Sequence, residues 1–295
     1  MLTALAPAKI NLVLEVLGRR NDGYHEILSI FHAIDLCDIL VFELDEGISL
    51  RSGEPSLEFE DNLVVKAAKL LKETTGCRRG VRIKLEKRIP RGVGLGGGSS
   101  DAASTLCGLN QLWELSLPTS ELAKLASKLG SDVSFFVYGG TALMGGRGEK
   151  LIQLITHPLT YFVLLIPPLP GMPQKTRQVY TKLRVDHFTK RQFIARALGS
   201  LVQHKCINYS FLFNVFEGVV FEFFPGLNEY WERFMQAGAA SVHLAGSGPT
   251  LFTMFSNEQE AREVYQRLQN WGLESYLVRS FSADKANKFE FMKDK

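Results

Sequence analysis

Near the N-terminus, Ile10, Leu12, Leu14 and Val16 fall on one side of an extended chain and Asn11, Val13 and Glu15 on the other. This period of two predicts a half-buried strand, broken at Gly18 and the polar loop 19–23. Further strands are predicted over 27–34, 39–44 and 48–50. In DNLVVKAAKLLKETTG the period changes: Leu63, Val64, Ala67, Leu70 and Leu71 recur at helical spacing, and Gly76 supplies the stop. Val81, Ile83 and Leu85 alternate again, which places a strand before a glycine-rich segment. Helices are predicted over 99–113 and 120–129, and strands over 140–144 and 151–154 on either side of GGRGE. The apolar run 161–166 reads as a buried strand, far too short to cross a bilayer. PPLPGMP (167–173) suits a connector. Beyond it come predicted helices over 192–204, 213–223 and 228–237. A strand then enters AGSGP, and a strand over 250–255, a helix over 257–271, a strand over 275–281 and a polar tail from 284 complete the chain. The pattern is that of an α+β chain in two domains, 1–166 and 167–295, with no internal repeat.

Composition narrows the class. With 295 residues, 45% hydrophobic and 22% charged, the chain can bury one large core or two modest ones. A net charge of +3 is too small to indicate nucleic acid but suits an anionic ligand. Cys37, Cys77, Cys107 and Cys206 lie far apart with no C-x-x-C pair, which reads as reduced thiols. Lys9 stands where a signal peptide would need its apolar stretch. The expectation is a soluble cytoplasmic protein without membrane or nucleic-acid partners, monomeric or weakly dimeric.

RGVGLGGGSSDAA places five glycines in the seven positions 92–98, at a high cost in chain entropy. Gly92, Gly94 and Gly97 match G-x-G-x-x-G. A dinucleotide fold, however, runs its strand straight into the first glycine and carries an acid about 20 residues beyond. Here EKRIPR intervenes, and Glu114 and Glu121 are misplaced. No Gly-Lys-Ser/Thr follows, which excludes a P-loop. A nest of backbone N–H groups remains, continued by Ser99 and Ser100 at a helix start, where hydroxyls and the helix dipole favour phosphate. The alternative is a loop that merely packs under a helix.

PRGVGLGGGSSDAA resembles the phosphate-binding motif of the GHMP kinases (galactokinase, homoserine kinase, mevalonate kinase, phosphomevalonate kinase). APAKINLVLEVLGRRNDGYHEI, GSDVSFFVYGGTALMGGRGE and LAGSGPTLF resemble further motifs of that family, in order, from Ala6 to about Phe281. The resemblance implies a two-domain α+β fold: an N-terminal domain like domain 2 of ribosomal protein S5, and a ferredoxin-like α/β C-terminal domain. It implies ATP and Mg²⁺ as cofactors. The triple glycine before SSDAA and the Gly-Tyr-His turn point within the family to cytidine diphosphate methylerythritol as acceptor, phosphorylated on its 2-hydroxyl. Another small-molecule acceptor, or a non-catalytic nucleotide-binding regulator, are the alternatives.

The resemblance also implies roles for residues. Lys9 and Asp132 would form the catalytic pair, the aspartate accepting or orienting the hydroxyl proton and the lysine keeping it ionised. Read alone, Asp132 is equally a helix N-cap, and Lys9 a structural strand lysine. Pro90, Arg91, Gly92, Val93, Gly94, Leu95, Gly96, Gly97, Gly98, Ser99 and Ser100 would cradle the ATP phosphates, with Asn62, Leu63 and Lys87 near the adenosine. Asp101 would either orient Mg²⁺ or brace its helix, which leaves the metal ligand open. Tyr24 and His25 would serve the cytosine, with Tyr180 on its opposite face, and Asn11 would lie near the methylerythritol hydroxyls. Gly246, Ser247 and Gly248 would close on the acceptor diphosphate, or else form only a tight strand connection. Three departures from the family pattern stand out: Ser134 for proline, Asn214-Val215 for Asn-Asp, and the stretch from Met172 to Lys175.

Overall fold

The first alternating stretch extends well beyond its predicted limits. A computed structural model, which describes residues 1–57, 61–154, 158–172, 174–286 and 290–291, shows it as β1 (Leu2–Arg19). It pairs antiparallel with β2 (His25–Asp45), from Leu2 opposite Phe42 to Arg19 opposite His25. The strands predicted at 27–34 and 39–44 are thus one strand. Register shifts at Pro7/Ala8, Asn11/Val13 and Val16/Gly18 bend this long hairpin. β1 was expected to be half-buried, yet residues 6–16 are buried on both faces. Helices cover one side and the second half of the chain covers the other, so Lys9, Asn11 and Glu15 are all interior. Glu15 accepts backbone N–H bonds from Phe193 at 3.3 Å and Ile194 at 3.0 Å, which ties β1 to the first turn of a later helix.

β3 (Ile48–Ser52), β4 (Gly80–Glu86), β5 (Thr141–Gly146) and β6 (Lys150–Gln153) complete the first half of the strand inventory, followed by β7 (Tyr161–Leu165), β8 (Phe213–Asn214), β9 (His243–Leu244), β10 (Leu251–Phe255), β11 (Ser275–Arg279) and β12 (Glu290–Phe291). Among the described residues these form an eight-stranded sheet around β1 and β2 and a four-stranded sheet ordered β11-β7-β10-β9. β7 therefore belongs with the C-terminal strands, and the expected boundary at 166/167 falls just after it.

The helices α1 (Leu63–Thr75), α2 (Gly97–Leu112), α3 (Thr119–Leu129) and α4 (Val133–Tyr138) share one core with the larger sheet. α2 lies so close to β2 that a Cβ on Gly108 would stand 2.7 Å from the Phe42 ring. Farther on come α5 (Lys175–Thr181), α6 (Gln192–His204), α7 (Val220–Phe223), α8 (Leu227–Gln236) and α9 (Glu258–Asn270). Neither α4 nor α5 is predicted by periodicity, because each spans less than two turns. A third cluster, including Ile10, Leu12, Phe162, Ile194 and Phe252, joins the two halves.

The predicted helix over 213–223 is not formed. β8 is followed by a 3₁₀ turn, Val215–Gly218, and the single turn of α7. Asn214 is the cause: its carbonyl accepts from Phe216 N at 3.0 Å while its amide reaches Leu244 and Gly246, so the chain is held extended there. Pro173 of the expected connector, and residues 287–289 and 292–295 of the expected tail, lie outside the described residues; residues 290–291 pair with β1. Among the described residues no helix is long and apolar enough to cross a membrane.

Candidate active site

The two glycine turns meet. In the first, Gly94 has φ +99°, and a Cβ there would lie 2.3 Å from the carbonyl oxygen of Ala245. In the second, a Cβ on Gly246 would lie 3.0 Å from the carbonyl oxygen of Gly94 and 3.4 Å from Lys9 Nζ. Only bare backbone lets 90–98 and 246–248 approach so closely beside a lysine. β1 is pinned to the same place, since Lys9 N donates to Leu95 O at 2.9 Å. α2 starts directly from the first turn, and no side chain caps it. Its first-turn N–H groups and the positive end of its dipole are therefore available to an anion. Ser100 Oγ and Asp101 Oδ1, on the same turn, are buried without a hydrogen-bond partner.

Lys9 is buried on β1. Its ammonium donates to Asn11 Oδ1 at 2.8 Å, lies 3.7 Å from Asp132 Oδ2, and stands 4.5 Å from the centroid of the Phe31 ring. Asn11 is oriented in turn: its amide donates to Ser29 Oγ at 3.0 Å, which donates to Val13 O at 2.6 Å. Burial lowers the Lys9 pKa, and the nearby Asp132 charge pulls it back up. Asp132 precedes α4 with helical backbone angles and makes no side-chain cap, so its carboxylate is not consumed by the helix. That side chain is 33% exposed. A carboxylate open to solvent beside a desolvated ammonium can take up or orient a hydroxyl proton.

Lys87 is held differently. Its ammonium bridges Asp38 Oδ2 and Asp101 Oδ2, the latter at 2.7 Å, and Asp38 Oδ1 accepts from the backbone of Arg88 at 2.6 Å and Ile89 at 2.8 Å. Burial works against the charge on Lys87, yet the two carboxylates raise its pKa overall. Burial, with the charge of Asp38 added, pushes the Asp101 carboxyl up to about 7 against the pull of Lys87. Asn62 caps α1, accepting from Val64 N and donating to Leu57 O, both at 2.9 Å. Leu63 packs on the core beside Gly98.

His25 stacks on Tyr180 with ring centroids 5.0 Å apart and planes at 29°, while Phe188 and Phe216 meet this pair edge-on. His25 Nε2 is buried and has no partner. Burial, then the charge of Arg19, lowers the His25 pKa, which favours the neutral ring. Tyr24 is 56% exposed, and its ring faces the guanidinium of Arg147 at 4.8 Å. The second glycine turn is braced from behind: Asn214 Nδ2 donates at 2.8 Å to both Leu244 O and Gly246 O, and Glu217 Oε1 accepts from Leu244 N at 3.0 Å.

Two family models match the chain, the GHMP kinases N terminal domain over residues 62–140 and the GHMP kinases C terminal domain over 193–273. A 4-diphosphocytidyl-2-C-methyl-D-erythritol kinase of Dehalococcoides mccartyi is 46% identical over 278 residues, covering 94% of this chain and 98% of the relative. The chain belongs to the GHMP kinase family. A kinase of the same description from Listeria welshimeri is 40% identical to this GHMP kinase over 284 residues, 94% of this chain and 95% of the relative. The crystal structure of a 4-(cytidine 5'-diphospho)-2C-methyl-D-erythritol kinase superposes with a TM-score of 0.81 at 37% identity, over 94% of this chain and 98% of that one. A homoserine kinase from Cytophaga hutchinsonii shares the fold, with a TM-score of 0.70 at 18% identity over 96% of this chain and 94% of that one. The α+β class and the two GHMP domains expected from the sequence are thus borne out.

Within this GHMP kinase the structure brings Lys9, Asn11, Asp132, the 90–100 loop and the 246–248 turn to one place. It pairs His25 with Tyr180 and leaves Tyr24 on the outside. The polar atoms of Lys87 and Asn62 are engaged within the protein. Two residues escaped the sequence reading. Asp38 is a carboxylate in the middle of an apolar strand, a signal that was legible in IDLCDIL. Lys175 ends the divergent stretch 172–175, and its ammonium reaches both glycine turns. Of the departures, Ser134 is buried and reaches Ser131 O at only 3.5 Å, and Val215 leaves the bracing by Asn214 and Glu217 intact.

Proposed function

We propose that this GHMP kinase transfers the γ-phosphoryl group of ATP to the 2-hydroxyl of 4-diphosphocytidyl-2-C-methyl-D-erythritol, giving the 2-phosphate and ADP on the non-mevalonate route to isoprenoid precursors. The observation that carries this reading is the near full-length likeness to kinases of that description. The geometry supports it. Asp132 orients the 2-hydroxyl and receives its proton, in a position where no cap consumes the carboxylate. Lys9 stands beside Asp132 and offsets charge on the group in transit, and Asn11 fixes the lysine. The glycine loop and the open start of α2 hold the ATP phosphates, over Leu63 at the adenosine end. Asn62 and Lys87 contribute there as supports of the pocket, their polar atoms being engaged.

Ser100 Oγ and Asp101 Oδ1 are hard oxygen donors, buried and unpartnered at the phosphate end, which fits Mg²⁺ held directly or through water. When bound, the cation neutralises charge on the phosphates. For the acceptor, His25 Nε2 meets the edge of the cytosine and the exposed Tyr24 offers it a face, while Tyr180 backs the His25 ring. The 246–248 turn closes on the diphosphate.

ADP release with ATP and Mg²⁺ tests the reading, comparing this acceptor with mevalonate, homoserine and galactose. Turnover with the cytidylyl acceptor alone is expected. Turnover with another acceptor would keep Lys9 and Asp132 and remove the cytosine pocket, and nucleotide binding without any turnover would leave a regulator.

A further inference from the structure

Lys175 carries a charge that the transfer chemistry above does not use. It opens α5, and its ammonium donates to Gly92 O at 2.8 Å and to Gly248 O. Those carbonyls belong to the two different glycine turns. The next residue repeats the link, with Thr176 Oγ1 3.0 Å from Ser247 Oγ. Carbonyl oxygens converging on one point repel an anion, and the ammonium reverses the sign of the field there. An ammonium has three N–H donors, so one remains after the two carbonyls are served.

The charge is also held at a cost. Burial, then the positive charge of Lys9 on β1, pulls the Lys175 pKa down to about 8. Asp132, which precedes α4, lies against Lys9 at 3.7 Å. Two cations and one carboxylate leave an uncompensated positive charge, which an incoming phosphate would complete. α5 also carries Tyr180, whose ring backs His25, so one helix supplies both a residue beside the assigned base site and a cation at the glycine turns.

We propose that Lys175 is a binding cation for the acceptor diphosphate: it ties the two glycine turns together in the free chain and presents its remaining N–H to the diphosphate that lies across them. This rests on the cytidylyl-acceptor reading above.

Calorimetric binding of CDP, CMP and ADP to the wild-type chain, Lys175→Met and Lys175→Arg tests it without any turnover. Lys175→Met is expected to weaken CDP at least tenfold, to weaken CMP less than threefold and to leave ADP unchanged, with Lys175→Arg restoring most of the CDP affinity. Equal losses for CDP and CMP would make Lys175 a brace of the loops and overturn the proposal. So would a loss confined to ADP, which would assign the cation to the ATP side, or no loss at all. A wild-type chain that binds ADP but no CDP would instead remove the cytidylyl reading itself.

Discussion

Two lysines, Lys9 buried and Lys87 half-buried, flank the glycine loop, and they are held in opposite ways. Lys9 has an amide oxygen at 2.8 Å, an aromatic face, and a carboxylate only at 3.7 Å that is itself a third exposed. Lys87 has two carboxylates in direct contact, both almost fully buried, and one of them is anchored by two backbone N–H groups. Burial lowers the pKa of the first lysine, while the carboxylates raise that of the second. A cation whose compensation is incomplete gains when an anionic ligand arrives, whereas a saturated one has nothing left to offer. The first arrangement suits chemistry and the second suits a foundation, although both lie beside the same loop.

The largest effect expected is on the first centre. Asp132→Asn should lower kcat by about 10²–10⁴-fold, the usual contribution of a positioned proton acceptor. Nucleotide binding should stay near wild type, because the glycine loop is untouched and Asp132 caps nothing. Near-normal turnover would remove the carboxylate from the chemistry. Lys87→Met should do the reverse. It strands two buried carboxylates, which costs about 3–5 kcal/mol of unfolding free energy, read from urea denaturation. Should stability hold while KM for ATP rises, Lys87 would be a nucleotide contact and the contrast between the two lysines would fail.

The sequence showed the first centre better than the second for a physical reason. Lys9 stands out against the small and apolar residues around it, and the glycine density of 92–98 marks where phosphate-binding backbone must lie. The Asp38–Lys87–Asp101 cluster joins β2, the end of β4 and α2, and no local period registers a contact made across the fold. The helix predicted at 213–223 failed in the same way. Its apolar residues have helical spacing, but the side chain of Asn214 bonds carbonyls of Leu244 and Gly246, 30 and 32 positions away, and these contacts override propensity. The stacking of His25 directly on Tyr180 is equally tertiary: adjacent residues at a turn point in different directions, and only the fold decides which faces α5.

The smallest effect sharpens the second centre and concerns protons. The folded pKa of Asp101, about 7, lies above its ordinary value of 3.8 because burial penalises the charged form. Between those values the folded chain keeps a proton that the unfolded chain releases, so this group's contribution to stability is whole below about pH 4 and is lost as pH rises through 7. Asp101→Asn keeps the shape and cannot ionise. Thermal midpoints measured from pH 4 to 7.5 should therefore fall less steeply in the variant than in the wild type, by a few degrees, since 1 kcal/mol moves Tm by about 2–4 °C in a large domain. Parallel profiles would mean that the proton is not held on Asp101. Lys87 would then face two full carboxylates at neutral pH, and Asp101 would be ionised, the form that suits a cation at its unpartnered Oδ1.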